Sequence, residues 1–292
     1  MRETCVLPYG KYRAQTLGMT TKTIAVHGAT GAQGAAISNR LAAAGWSVRP
    51  LNSRNADLSD IDSLVSAYTG ADAVLVQLPL LFEPVVVRYA ETILAALTKA
   101  DIEQAVFNPA TGLPPEPIGV PFIDARVHLM RELPGAVAYG TTIGPAGRYL
   151  ENLLQPWSIQ RITQGGEVAY PLRAGVPDEW VSLDDIGDRV AESLAGGMDD
   201  GVTLAAGPAA VTGDELAAAV GAAVGRPVRW VQVPPAEYGR LMAPVIGETA
   251  AEAVAGIYEQ AAAAPPPPLP AELVWRTTTT PAQWTARQEW TA

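Results

Sequence analysis

The stretch "TIAVHGATGAQGAAISNRLAAAG", Thr23 to Gly45, constrains the fold more than any other part of the chain. A short β-branched run ends in Gly28, and an alanine-rich helical pattern follows, with Ile37 and Leu41 on one face and Gly45 as its stop. Between them Gly28, Gly31 and Gly34 form G-x-x-G-x-x-G, so strand, tight turn and helix succeed one another without a linker. A turn of this kind needs positions without a Cβ, because the chain must reverse sharply and the helix must lie close on the strand.

The alternation continues. "WSVRPLN", "DAVLVQL", "QAVFN" and "GAVAYGTTIG" read as strands, and "DLSDIDSLVSAYTGA", "PVVVRYAETILAALTKA" and "FIDARVHLMREL" as the helices between them. The continuous apolar character of "DAVLVQL" suits a parallel strand covered on both faces. The expected fold class is therefore α/β, a doubly wound parallel sheet of the Rossmann type over residues 22–144. Residues 1–21 read as an N-terminal extension without a clear period. Residues 145–292 read as a smaller α+β substrate-binding region, some of whose strands could return to the main sheet.

In that second half "GRYLENLLQPW" reads as helical and "EVAYPL" and "RPVRWVQVP" as strands. Ser182 with Asp185, and Thr212 with Glu215, have the spacing of capping boxes. "AEYGRLM" and "ETAAEAVAGIYEQAAAA" read as helices, and "APPPPLP" as a stiff spacer. In the tail, Thr280 and Pro281 open a last helix, and Trp275, Trp284 and Trp290 are expected to dock on the body.

Composition narrows the function. The formal net charge of −10 and the scattered arginines argue against nucleic acid as a partner. No apolar run reaches the roughly 18 to 20 residues of a membrane span. One cysteine, Cys5, and two isolated histidines, His27 and His128, provide no metal-ligand spacing, so no metal is expected. The lone cysteine and a leader without an apolar core fit a reducing, cytoplasmic setting.

The glycine turn points to a dinucleotide pyrophosphate, held by backbone N–H groups around Thr30, Gly31, Ala32, Gln33 and Gly34 at the positive end of the helix. The competing reading is a glycine turn that merely packs. An acidic residue at the end of the second strand would select NAD, but "LNSRNAD" has no carboxylate before Asp57. Ser53 and Arg54 suit a 2′-phosphate, which favours NADP with NAD as the alternative; Arg54 could equally be a solvated surface side chain. Asp57 and Leu58 are expected near the adenine. Gln77, Leu78 and Pro79 are expected to end the fourth-position strand, where the cofactor crosses the sheet edge, and Asn108 to sit where the fifth strand ends beside the expected nicotinamide.

The segments "VHGATGAQGAA", "DLSDIDSLVSAYTGADAVLVQLP", "GRYLENLL", "WVSLDDIGDRVAESL" and "AAVGRPVRWVQVPPAEYGRLM" resemble, in that order from Lys22 to Met242, the NmrA-like branch of the atypical short-chain dehydrogenase/reductases. The resemblance implies a Rossmann domain, a discontinuous region closing over a substrate cleft, and either reduction of quinones, enones or phenylpropanoids or a redox-sensing role. The Tyr-x-x-x-Lys pair of the wider superfamily is missing, since Lys11, Lys22 and Lys99 are the only lysines. Related reductases place a lysine where this chain has Arg126, so Arg126 is expected to steady a substrate oxygen; a surface ion pair with Asp124 or Glu132 is the alternative. His128 is a second candidate, as a proton donor, with packing as its alternative. Asn108 is a third. Tyr139, Thr142, Tyr149, Trp157 and Trp180 are candidates for the cleft walls. The first expectation is an NADP-dependent reductase of conjugated carbonyl compounds. A non-catalytic sensor with a protein partner and a non-redox biosynthetic enzyme are the alternatives.

Overall fold

The computed structural model describes residues 21–196, 201–263 and 269–291. Most of the N-terminal extension, Cys5 included, and most of the proline run lie outside the described residues.

In chain order the strands are β1 (Thr23–His27), β2 (Ser47–Leu51), β3 (Ala73–Val76), β4 (Gln104–Phe107), β5 (Tyr139–Pro145), β6 (Arg148–Tyr149), β7 (Glu167–Tyr170), β8 (Trp180–Val181), β9 (Gly201–Ala206), β10 (Arg229–Gln232) and β11 (Val274–Arg276). The α-helices are α1 (Ala32–Ala43), α2 (Ile61–Tyr68), α3 (Val85–Lys99), α4 (Pro121–Ala136), α5 (Pro156–Gln160), α6 (Leu183–Gly196), α7 (Gly213–Val224), α8 (Pro235–Ile246), α9 (Glu248–Ala263) and α10 (Pro281–Thr285).

Seven strands pair in parallel in the order β11-β9-β5-β4-β3-β1-β2, so β9 and β11 from the second half complete the main sheet. The alternation of side chains explains the two layers. Ala25, Val74, Val76 and Phe107 face a core with Leu64, Ile93, Leu97 and Leu129 from α2, α3 and α4. Ile24, Val26, Leu75 and Val106 face the opposite core with Ile37 and Leu41 of α1 and Ile186 and Val190 of α6. This is a Rossmann-like doubly wound sheet. Strand order reverses at β1, which has β2 on one side and β3 on the other, and the crevice above such a reversal is where this architecture receives ligands.

A third core lies in the C-terminal region, around Tyr170, Trp180, Leu216, Trp230, Tyr238 and Trp284. Two small parallel pairs, β10 with β7 and β6 with β8, carry it. The segment "GRYLENLLQPW" is not one helix. Arg148 and Tyr149 pair with β8, Leu150–Leu154 form a 3₁₀ turn, and only Pro156 starts an α-helix. The β6 pairing fixes an extended backbone, and Pro156 is well placed only in the first helical turn.

The tail docks by a buried cluster. Asp185, in the first turn of α6, accepts hydrogen bonds from the hydroxyls of Ser182 (2.6 Å), Thr277 (2.7 Å) and Thr279 (2.8 Å). Capping boxes form at Thr212 with Glu215 and at Thr280 with Gln283, and Trp284 is buried behind the second. Asp185→Ala strands three hydroxyls around an empty acceptor site, and should lower the unfolding free energy by about 3 kcal/mol in urea titrations.

Candidate functional site

At the tip of β1 the backbone turns through Gly28 at φ +62°, a conformation that a side chain resists. Gly34 matters for a different reason: a Cβ there would lie 2.2 Å from the carbonyl oxygen of Gly28. Its absence lets α1 begin directly on the turn. Gly31 caps that helix with no side-chain hydrogen bond, and the first helical bond runs from the Ala35 N–H to the Gly31 carbonyl (2.8 Å). The amides of Ala32, Gln33 and Gly34 thus precede the ladder and point outward from a helix end carrying partial positive charge. A diphosphate fits this cradle.

The turn opens into a cleft of about 840 Å³, within the range of small-molecule and cofactor sites. Gly28, Thr30, Gly31, Ala32, Gln33 and Gly34 line one end. Ser53, Asp57 and Leu58 line the side beyond β2, and Gln77, Leu78 and Pro79 the side beyond β3. Asn108, Arg126, Tyr149 and Trp157 complete the set of sequence-derived candidates that the fold brings together. Parallel strands deliver their C-terminal ends to one edge, which is why residues 28, 52, 77 and 108 converge.

Arg54 is exposed in the turn after β2, outside the cleft lining, and its guanidinium makes no hydrogen bond or ion pair among the described residues. The turn itself is rigid: the Asn52 side chain accepts from the Arg54 amide (2.9 Å), and the Asn55 side chain accepts from the Asn52 amide (2.8 Å). Asp57 is turned toward Ser59, whose hydroxyl and amide both donate to it and hold its carboxyl below the usual range. No carboxylate ends β2.

A polar chain crosses the floor. The Gln77 side-chain amide donates to the His27 carbonyl (2.8 Å), and the Tyr149 hydroxyl donates to Asn108 Oδ1 (2.9 Å), which also accepts from the Ala110 amide (3.0 Å). Burial raises the Tyr149 phenol above its ordinary pKa, so it stays protonated and is a weak acid. His27 sits below, its Nε2 2.7 Å from the Tyr68 hydroxyl, with burial lowering its pKa to about 4; it is neutral and structural.

Arg126 is buried, 2% exposed, and makes no ion pair with Asp124 or Glu132. Its Nε donates to the Pro109 carbonyl (2.9 Å), Nη1 to Phe122 (2.9 Å), and Nη2 to Leu78 and Pro79 (both 3.2 Å). Asp124 instead accepts from the amides of Ile118 and Gly119. The guanidinium also lies 3.6 Å from the centroid of the Phe122 ring. Burial lowers its pKa to about 9, which leaves it charged at neutral pH. Four carbonyls from the ends of β3 and β4 and from α4 are tied together by one planar fork, so Arg126 fixes the rim of the cleft.

Four further candidates lie outside the cleft lining, as Arg54 does. His128, two residues from Arg126 on the same helix, is half-buried outside the cleft. Tyr139 starts β5 at the opposite edge of the sheet, and Thr142 is buried within that strand, paired with Phe107. Trp180 belongs to the third core, edge-on to Tyr170 with ring centroids 5.3 Å apart. Residues that sequence reasoning missed include Leu80, Leu81, Phe122 and Ile246, which add apolar lining to the cleft, and Glu151, Asn152 and Gln155, which add polar lining. The apolar run "LPLLF" is the only sequence signal that could have found the first two.

Among the described residues no group of three or more His, Cys, Asp or Glu is arranged to hold a metal, and no helix is long and apolar enough to cross a membrane.

Comparison with known proteins places this geometry in context. The chain is 31% identical over 193 residues to the NAD(P)H azoreductase of Xenophilus azovorans, an overlap that covers 63% of this chain and 64% of that enzyme. It is similar in fold to the Citrobacter triphenylmethane reductase solved with NADP(H), at a TM-score of 0.69 and 18% identity over 91% of this chain and 99% of that one. It is also similar to the NADPH-dependent quinone oxidoreductase of Escherichia coli solved with NADPH, at a TM-score of 0.64 and 20% identity over 90% and 98% of the two chains. The sequence pattern of the NmrA-like family matches residues 54–269, and the chain belongs to that family.

Proposed function

We propose that this protein is an NADPH-dependent reductase of planar conjugated small molecules such as quinones, enones or azo compounds. The observation that carries the reading is the continuity of one cleft, from an uncapped helix end at the glycine turn to an apolar wall at Leu80, Leu81, Phe122, Trp157 and Ile246. The azoreductase relative and the two reductase neighbours support it.

The amides of Ala32 to Gly34 would hold the pyrophosphate. Ser53 and Arg54 would meet the 2′-phosphate, where a free guanidinium matches a phosphate better than any group that NADH offers. Leu58 would border the adenine, and Gln77 to Pro79 with Asn108 would border the nicotinamide ribose. When bound, the dinucleotide supplies hydride. The protein's own part is to orient and to exclude water. Arg126 acts here as a positioning residue, keeping the Leu78, Pro79 and Pro109 carbonyls fixed behind the cofactor. The aromatic and aliphatic wall would select flat, apolar acceptors, whose delocalised electrons ease hydride addition.

Titration calorimetry tests the binding. NADPH should bind about tenfold more tightly than NADH, a difference of ~1.4 kcal/mol, and Arg54→Ala should erase that preference while leaving NADH affinity unchanged. Gly34→Val should weaken NADPH by about a hundredfold, with the far-ultraviolet spectrum of the folded protein retained. Loss of nicotinamide absorbance with quinones or azo dyes should follow. Tight binding without turnover on any acceptor would favour the sensor alternative, and failure to bind either nucleotide would contradict both.

A further inference from the structure

Two side-chain carboxamides in the cleft have acceptor capacity to spare. Asn152 and Gln155 both line it, three residues apart on the 3₁₀ turn Leu150–Leu154 and the residue that closes that turn. Positions three apart eclipse on such a turn, so the two amides share a face. The nitrogen of each is committed to the protein. Gln155 Nε2 donates to the Glu151 carbonyl (3.3 Å), and because a carbonyl can only accept, the Gln155 oxygen is left on the other side. Asn152 Nδ2 donates to the Tyr170 hydroxyl (3.1 Å), which also accepts from the Tyr258 hydroxyl (3.1 Å). Gln155 Oε1 and Asn152 Oδ1 have no hydrogen-bond partner among the described residues, and neither is sealed from solvent.

The polar groups around them are already engaged. The side chains of Gln77, Asn108 and Tyr149 bond to one another or to the backbone, and the Arg126 fork is held by carbonyls. Glu151 Oε1 accepts from Leu183 and Trp284, and Oε2 has no accessible surface. No lysine lines the cleft, and Arg126 is the one arginine that does. Each carboxamide retains one N–H, but with two lone pairs on each oxygen the acceptors are in the majority. The face made by Asn152 and Gln155 therefore suits a hydrogen-bond donor and offers an anion no countercharge.

Apolar lining completes the recognition. A flat aromatic body fits against Leu80, Leu81, Phe122, Trp157 and Ile246, and on entering it gives up the water around any polar group on its edge. A donor stripped of water and left unpaired weakens binding, whereas one that meets an amide oxygen does not. We propose that Gln155 and Asn152 are specificity-determining residues that select aromatic acceptors bearing an uncharged N–H or O–H donor, a primary amine or a hydroxyl on the ring. The inference rests on the reductase reading and narrows its substrate class. The bond to Gln155 Oε1 fixes one edge of the ring and with it the orientation of the conjugated system in the cleft.

The test uses the full chain with NADPH and two matched pairs of acceptors. One pair is para-aminoazobenzene and its N,N-dimethyl derivative, and the other an aminonaphthoquinone and its N,N-dimethyl derivative. Methylation removes both N–H donors and keeps the conjugated skeleton. Wild type should favour the primary amine about tenfold in kcat/KM, chiefly through KM. Gln155→Met, which keeps the side-chain length and forgoes one bond within its own turn, should reduce that preference to about threefold. Asn152→Leu should do the same, and the double variant should show about equal rates for the two members of a pair. Because the readout is a ratio, a loss of activity common to both compounds cancels. A wild-type ratio near one, or a wild-type ratio kept by both single variants, would overturn the selection and leave the reductase reading in place. No turnover of any of the four compounds by the wild type would overturn the reductase reading and the selection with it.

Discussion

Helix α1 approaches the tip of β1 so closely that the Gly28 carbonyl oxygen lies 2.2 Å from where a side chain at position 34 would begin. That contact exists only because residue 34 has no Cβ, and the site is organised around it. It brings the open end of the helix over the sheet edge, with Ala32, Gln33 and Gly34 amides facing outward. The reversal of strand order at β1 then leaves a crevice in front of those amides instead of another strand. In the proposed function backbone dipoles would provide the anion affinity, so the overall charge of −10 is no obstacle to binding a phosphate ester.

The opposite rim depends on a different device. A buried guanidinium without a carboxylate is unusual, and Arg126 is stabilised by four carbonyl dipoles and the face of Phe122. Two of those carbonyls belong to the segment after β3 and one to the segment after β4, so a single side chain sets the spacing of the two loops that border the cleft. Lysine, a point charge on a flexible stem, could not satisfy the same four carbonyls in one plane. The C-terminal region closes the third side through Tyr149, Glu151 and Trp157, whose positions follow from the β6–β8 pairing and the docking of α10.

The glycine-turn end of the cleft was legible in the sequence because its determinants are local: three glycines, a β-branched run and a helix pattern specify each other within 23 residues. The convergence of Ser53, Gln77 and Asn108 was also legible, since a parallel sheet aligns strand ends. The apolar end was not. Tyr139 and Thr142 belong to a correctly read strand, but the reading did not settle which end of β5 meets the cleft. Trp180 looked like a wall and is core, because aromatic residues satisfy either role. Glu151 escaped notice because "GRYLENLL" reads only as a helix. Only the long-range contacts with Leu183 and Trp284 reveal an acid with one oxygen sealed from water.

A crystal of the protein soaked with NADPH tests the central claim most directly. Electron density for the pyrophosphate within hydrogen-bonding distance of the Ala32, Gln33 and Gly34 amides, with the adenosine lying toward Ser53, is the predicted result. A vacant turn, or a dinucleotide bound elsewhere on the molecule, would contradict the account.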